Sequence, residues 1–337
     1  MSGQEWFELS PDLRRVGAER RKIAEHFRVD PVYALTQLRG AARRDVLIAM
    51  GVSDLALRAA LAGGRVFRPH RGTYTLPGTP KAIVAAASLR GQVSCLSACE
   101  YWGLAMVKPP DAPHVLVPTD RHPQPDRLRR LRVVGVHRDE PWQPGRLIQP
   151  VDQAIDHAGW CTTPLEQLVI INSALNKGKV DPAGIPFLSK GGERRLEWLR
   201  ANVNRLADSV TESVALAVLT AGGLNPRSQV VREHGSPVDI VIGERHVIEL
   251  DSWEFHGGRE AFRRDRWKDR QVIAAGGLPA RYIYEDVMDN LWAFALDVSR
   301  ITGLALDARL KSRLTWMTTA PPGHLNRRQG PPLPFTS

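Results

Sequence analysis

The period of the apolar positions changes several times along the chain, and each change predicts an element. Residues 1–40 read as a charged helical arm, with "RRVGAERRKIAEHF" on one amphipathic helix and "VDPVYALTQLRG" as a short helix closed by Gly40. Residues 41–78 predict an apolar helix that stops at Gly51, then a second helix, "DLALRAALA", N-capped by Ser53 and ended by Gly63-Gly64. Two β-rich pieces, "RVFRPH" and "TYTLP", follow with a tight turn at Arg71-Gly72. Residues 79–205 form a middle region: a helix over "VSCLSACEYWGL", strands at "PHVLVP" and "RLRVVGVHR", then helices at "QPVDQAIDHAG" and "PLEQLVIINSALNKGKV". Residues 206–302 read as α-β-β-β-α-β-α. A helix stopped by Gly222-Gly223 leads to three strands at "RSQVVRE", "PVDIVI" and "RHVIELD". A long charged helix over "GREAFRRDRWKDRQVIAAGG", the strand "ARYIY" and a last helix complete the series. Residues 303–337, closing on "TTAPPGHLNRRQGPPLPFTS", carry the Pro, Gly and polar content of a mobile tail.

Composition narrows the class. A 337-residue chain with 43% apolar and 24% charged residues has the make-up of a soluble globular protein with room for two or three domains. No run approaches the roughly 18–20 apolar residues of a membrane span, and "MSGQEWFELSPDLRRVGAERRK" lacks an apolar export core. The expectation is a cytoplasmic protein with no membrane partner. Three cysteines make no disulfide framework. Cys95 and Cys99 lie one helical turn apart with no neighbouring Cys/His pair to complete a tetrahedral metal set, so both read as small core residues, and His114 and His137 read as strand-end residues.

The formal charge of +10 points to a polyanionic partner. Helix, short turn, helix and β-hairpin over 41–78 is the pattern of a winged helix-turn-helix, in which the second helix enters the major groove and the hairpin meets phosphates. Arg58 lies on that helix, and Arg65, Arg68, His70 and Arg71 surround the wing. The stretch 40–180 resembles the AbiEi-type antitoxins of type IV toxin–antitoxin systems, carried by "GVSDLALRAALAGGRVFRPHRGTYTLPG", "SCLSACEYWGL", "PHVLVP" and "QPVDQAIDHA". The resemblance implies a winged helix that binds promoter DNA, an α/β middle domain, and possible pairing with a cognate toxin.

The most informative stretch is "PVDIVIGERHVIELDSWEFH", where acids interrupt two apolar strands. An isolated carboxylate in a core costs several kcal/mol unless it is paired, protonated or bound to a cation. The order of elements and the placing of these acids resemble the restriction-endonuclease-like PD-(D/E)XK fold, and within it the very-short-patch-repair endonucleases. Carried over residue by residue, Asp239 matches the family's metal-binding aspartate and Glu249 the acid of the next strand. Glu212 matches the glutamate of the preceding helix, Asp251 and His256 the acid and histidine that follow, and Asp265, Lys268 and Arg270 lie on the next helix. The resemblance implies a catalytic set of Asp239, Glu249, Asp251, His256 and Glu212. Within it, Asp239, Glu249 and Glu212 would hold Mg²⁺ (or Mn²⁺), and Lys268 and Arg270 would face the nucleic acid. Two positions depart from the pattern: Asp251 stands where many members carry a lysine, and Ser252 where these relatives carry glycine.

The overall expectation is an α+β multidomain DNA-binding protein with a Mg²⁺-dependent endonuclease-like domain, in phage defence or toxin–antitoxin biology. The alternative is a non-catalytic AbiEi-like antitoxin or transcriptional repressor built on an inactive nuclease fold. One geometric condition separates a site from scattered acids. A two-residue turn at Gly243-Glu244 would set Asp239 opposite Ile248 and turn Glu249 to the wrong face, so the hairpin requires an odd-length loop or a bulge near 243–246.

Overall fold

The computed structural model describes residues 29–133, 135–138, 146–182, 188–231, 237–251 and 259–320. The described residues form a mixed α/β protein with three small sheets. They fall into two compact units. The first takes in the chain up to Val93 with Val115–Leu131 and Arg138–Ile148; the second takes in Ser94–His114, Arg132–His137 and the chain from Gln149 onward. The amphipathic helix expected before residue 29 lies outside the described residues, as do His256 and the segment 321–337.

The first unit opens with α1 (Pro31–Gln37). Its start is set by Asp30, whose Oδ1 accepts from the Val32 and Tyr33 amides at 2.8 and 3.2 Å, with Pro31 filling the first helical position. Next come β1 (Ala41–Arg43), α2 (Arg44–Ala49), α3 (Asp54–Ala62), β2 (Phe67–His70) and β3 (Thr73–Thr75). Ser53 caps α3 as expected, its Oγ accepting from the Ala56 amide at 3.2 Å. The strands pair antiparallel in the order β1-β3-β2, and the β2–β3 turn passes through Gly72 at φ +73°. The first strand, in "AAR", carries too little periodicity to be read from sequence; it forms because Ala41 and Ala42 pack against the hairpin and helices. Ala34 and Leu35 of α1 share one apolar core with Leu47, Leu57, Ala60 and Tyr74, so α1 belongs with the elements that follow it.

Along the chain the succeeding elements are α4 (Lys81–Leu89), β4 (Gln92–Val93), α5 (Cys95–Tyr101), β5 (His114–Val117), α6 (Pro125–Leu131) and β6 (Gly135–Arg138), with the sheet order β4-β5-β6. The second unit continues with α7 (Val151–Ala158), α8 (Pro164–Asn176), α9 (Glu193–Asn202) and α10 (Val210–Ala221). α8 begins at a capping box, in which Thr163 Oγ1 accepts from the Glu166 amide and Glu166 Oε2 accepts from the Thr163 amide. The expected domain boundary between residues 205 and 206 falls inside this unit. Asn172 of α8 donates to Ser213 Oγ of α10 at 3.2 Å and accepts from the Asn204 amide at 2.8 Å, tying the two sides of that boundary together.

The remaining elements are β7 (Arg227–Val231), β8 (Pro237–Ile242), β9 (His246–Asp251), α11 (Arg259–Ala274), β10 (Leu278–Ile283), α12 (Tyr284–Met288), α13 (Leu291–Thr302) and α14 (Leu310–Met317). They form a four-stranded sheet in the order β10-β9-β8-β7, antiparallel except for the β9–β10 pair. The last helix corrects the expectation of a mobile tail from residue 303. Leu310, Leu314 and Met317 lie on one helical face and are all fully buried, so the chain stays packed through this segment. No helix among the described residues is long and apolar enough to cross a membrane.

Candidate functional site

The β8–β9 hairpin meets the condition the sequence imposes. Ile240 pairs with Ile248, Val241 with Val247 and Ile242 with His246, leaving Gly243, Glu244 and Arg245 as a three-residue turn. Gly243 sits at φ +61°, a conformation in which a side chain is strained. Continuing this register by one residue sets Asp239 opposite Glu249. On one side of this pair, Glu249 is opposite Arg281 of β10. On the other, Gln229 of β7 falls between the pairs Ser228–Ile240 and Val230–Val238, opposite Asp239. A polar row, Gln229-Asp239-Glu249-Arg281, therefore crosses all four strands on one face.

Helices bring further charge to this row. α11 lies against the sheet through Val272, which clusters with Val241 and Val247; one turn earlier, the Lys268 charge reaches both Asp239 and Glu249. On α10, Glu212 is buried at the third helical position, where Ser209 Oγ accepts from its amide at 3.0 Å and donates to its Oε1 at 3.1 Å. The other carboxylate oxygen of Glu212 accepts from Gln229 Nε2 at 2.9 Å, so the polar row and the helical acid are joined directly. Asp239 Oδ2 accepts from the Leu250 amide at 2.8 Å, fixing its side chain across to β9.

The electrostatics are those of crowded carboxyls in a poorly solvated place. Burial pushes Glu212 up to about 8, with the Asp208 carboxyl and the Asp239 charge adding to the rise and the Gln229 amide opposing it. Burial likewise pushes Glu249 up to about 7, reinforced by Asp239 and opposed by Lys268 and Arg281. Asp239 is raised by burial despite its bond from the Leu250 amide. Among the described residues, the buried Glu249 Oε1 has no hydrogen-bond partner. Carboxylate oxygens are the donors a hard divalent cation takes, but among the described residues these acids do not form a group of three or more whose ligand atoms lie close enough to share an ion.

Asp251 shares the face of Glu249, but its carboxylate is engaged elsewhere. Arg281 Nη1 donates to Asp251 Oδ1 at 2.7 Å, and Arg281 Nε donates to Asp269 Oδ1 at 2.9 Å, which clamps the guanidinium between β9 and α11. His256 lies outside the described residues. Arg270 lies exposed on α11 and Lys268 half-buried. Asp208, Gln229 and Arg281 were not legible as members of this group. Gln229 and Arg281 enter the row through the β7–β8 and β9–β10 registers, and Asp208 through its place just before α10, none of which the spacing of the acids records.

In the first unit, Arg58 is exposed on α3 beside Leu55, and Arg68 is exposed on β2. Arg65 is paired with Asp30 at 3.1 Å, so the N-terminal cap of α1 already takes its charge. His70 and Arg71 line a groove with Arg43, Arg44, Arg90, Arg127 and Arg130. Within it, Arg44 pairs with Asp54, Arg90 with Asp45 at 2.5 Å, and Arg127 donates to the Ser88 carbonyl. Burial and the charges of Arg43, Arg130 and Arg90 lower the Arg127 pKa, and burial with Arg127 and Arg130 lowers that of His70. Such crowding of guanidinium groups makes an anion-attracting surface. The arginines of α6 come beside the β2–β3 hairpin only through the tertiary fold.

A second constellation extends the sequence reading of the cysteines and histidines, with Cys95 and Cys99 buried in the core as expected. His114 and His137 are strand residues, as expected, yet they converge with Cys95 and Cys161 in one buried group. The missing partners of Cys95 lie far along the chain, where local spacing carries no sign of them.

No protein-family model matches the chain, and no curated protein matches it. Among solved structures, it shows a likeness to the crystal structure of the RV2827C protein from Mycobacterium tuberculosis. The identity is 16% and the TM-score 0.30, over 56% of this chain and 79% of that one, too slight to carry an argument.

Proposed function

We propose that this chain is a DNA-binding protein whose second unit is an endonuclease of the PD-(D/E)XK type, hydrolysing DNA phosphodiester bonds with Mg²⁺ (or Mn²⁺) as cofactor. The observation that carries the reading is the three-residue turn that brings Asp239 and Glu249 opposite each other on one sheet face, joined to Glu212 through Gln229. The order of elements from α10 to β10 and the mixed strand order support the nuclease fold. The order α1-β1-α2-α3-β2-β3, with β3 between β1 and β2, supports a winged helix-turn-helix.

Asp239, Glu249 and Glu212 would hold the ion. When bound, it supplies charge neutralisation at the phosphate and an activated water. Lys268 contributes a positive charge beside Asp239 and Glu249, compensating from α11 for the lysine that Asp251 replaces. A carboxyl raised as Glu212 is can hold or release a proton near neutral pH. In the first unit, the exposed face of α3 and the groove beside Arg71 supply base-edge and phosphate contacts respectively.

The test is plasmid cleavage with Mg²⁺ or Mn²⁺ by the wild type beside Asp239→Ala and Glu249→Ala, with DNA affinity measured in parallel. Cleavage is expected to fall by about 100-fold or more in both variants, with DNA affinity retained. One observation favours a second reading, a non-catalytic AbiEi-like antitoxin or repressor: the lysine position is Asp251, locked to Arg281. Wild-type protein that binds DNA yet cuts none with either metal would establish that alternative over the nuclease.

A further inference from the structure

We propose that Cys95, His114, His137 and Cys161 form a closed tetrahedral site for a structural Zn²⁺, separate from the carboxylate site in ligands and in chemistry. The four side chains offer two sulfurs and two imidazole nitrogens that all lie within 4.8 Å of one another. All four residues are buried, with Cys95 and His114 entirely shielded from solvent.

The spacing agrees with that ion. With Zn–S near 2.3 Å and Zn–N near 2.0–2.1 Å, the edge of a tetrahedron between sulfur and nitrogen is about 3.6 Å. Cys161 Sγ lies 3.6 Å from His137 Nε2. A thiol–imidazole hydrogen bond accounts for that one distance, and the same sulfur also meets Cys95 and His114, so all four groups converge from separate places in the chain. Two sulfurs with two imidazoles is the donor set of structural zinc, whereas Mg²⁺ and Ca²⁺ select oxygen. Four protein ligands leave no open position, so the site serves the fold and not hydrolysis.

The surroundings are shaped for these ligands. Cys95 heads α5 with a left-handed backbone, φ +51°, which few side-chain-bearing residues adopt. Gly135 stands two residues before His137 on β6, and a Cβ there would fall 2.4 Å from His114 Nδ1, so only glycine lets the strand approach that ring. His137 stacks with the rings of His114 and Trp160, with centroids 5.8 and 5.5 Å away and near-parallel planes. His157 stands beside the group without joining it: its Nδ1 is within hydrogen-bond reach of Gln149 Nε2 at 3.0 Å and Ser94 Oγ at 3.3 Å. Cys99, one turn from Cys95, is buried outside the set and serves as the internal control.

The test uses the full chain, freed of any histidine tag. Elemental analysis of the purified protein is expected to give about one zinc per chain, lost in Cys161→Ser and His137→Gln and kept in Cys99→Ser. After removal of zinc, added Co²⁺ should produce sulfur-to-cobalt charge transfer and the intense visible bands of tetrahedral coordination. Both should persist in Asp239→Ala, which keeps this site distinct from the acidic one. The cobalt spectrum of the wild type decides the matter even where a ligand variant fails to fold. Zinc well below one per chain with no tetrahedral cobalt spectrum overturns the proposal, and so does a Cys95–Cys161 disulfide in the unreduced protein by mass spectrometry.

Discussion

At the scale of single residues, the acids of the sheet are most telling through their protonation. Glu249 and Glu212 move from an ordinary 4.5 to about 7 and about 8. Between those values the folded chain holds protons that the unfolded chain has released, so each shift makes stability fall as pH rises through the window and level off above it. Metal-free protein is therefore expected to resist urea better near pH 5.5 than at pH 8. Glu249→Gln should flatten part of that fall and stabilise the metal-free protein at pH 8 by about 1–2 kcal/mol, while Mg²⁺ binding is lost. Calorimetric titration should show Mg²⁺ binding that tightens with rising pH and releases protons, because the carboxyls must ionise to serve as ligands. A pH-independent affinity would contradict the proposal that these carboxyls hold the ion.

At the scale of elements, turn length and helical packing decide what the residues can do. The turn Gly243-Glu244-Arg245 sets the parity of the hairpin, and Gly243 holds it at φ +61° with nothing within 4 Å of where a Cβ would stand. Gly243→Ala thus meets backbone strain alone and is expected to lower stability by about 1 kcal/mol, measured by urea denaturation, with Mg²⁺ binding intact. The last described helix gives the opposite case. Leu314 is fully buried, so Leu314→Ala should cost about 2–5 kcal/mol, where a substitution in a mobile tail would cost nothing measurable. Local pattern was legible here: Ser53 as a cap, the Arg71-Gly72 turn, and the order of strands around the acids. In α14 the spacing of Leu310, Leu314 and Met317 is helical, but the Pro- and Gly-rich segment that follows it set the expectation for the whole stretch.

At the scale of the whole molecule, one concentration of basic side chains lies in the groove beside the β2–β3 hairpin. Arg71→Ala and Arg130→Ala are each expected to weaken DNA binding similarly across sequences and to reduce the salt-dependence slope by about 1, read from affinity at several salt concentrations. Arg65→Ala should act mainly through loss of its pair with Asp30.

The sequence by itself determined the strands and helices around the acids and their order, the alternation that puts Glu249 and Asp251 on one side of a strand, and the demand for an odd turn, because these follow from periods of two and 3.6 residues and from local backbone chemistry. Tertiary structure alone decided that Asp251 is spent on Arg281, that the α6 arginines lie beside the β2–β3 hairpin, and that two cysteines meet two histidines. Those meetings depend on chain segments brought together from a distance, and no local period records which distant side chains share a space.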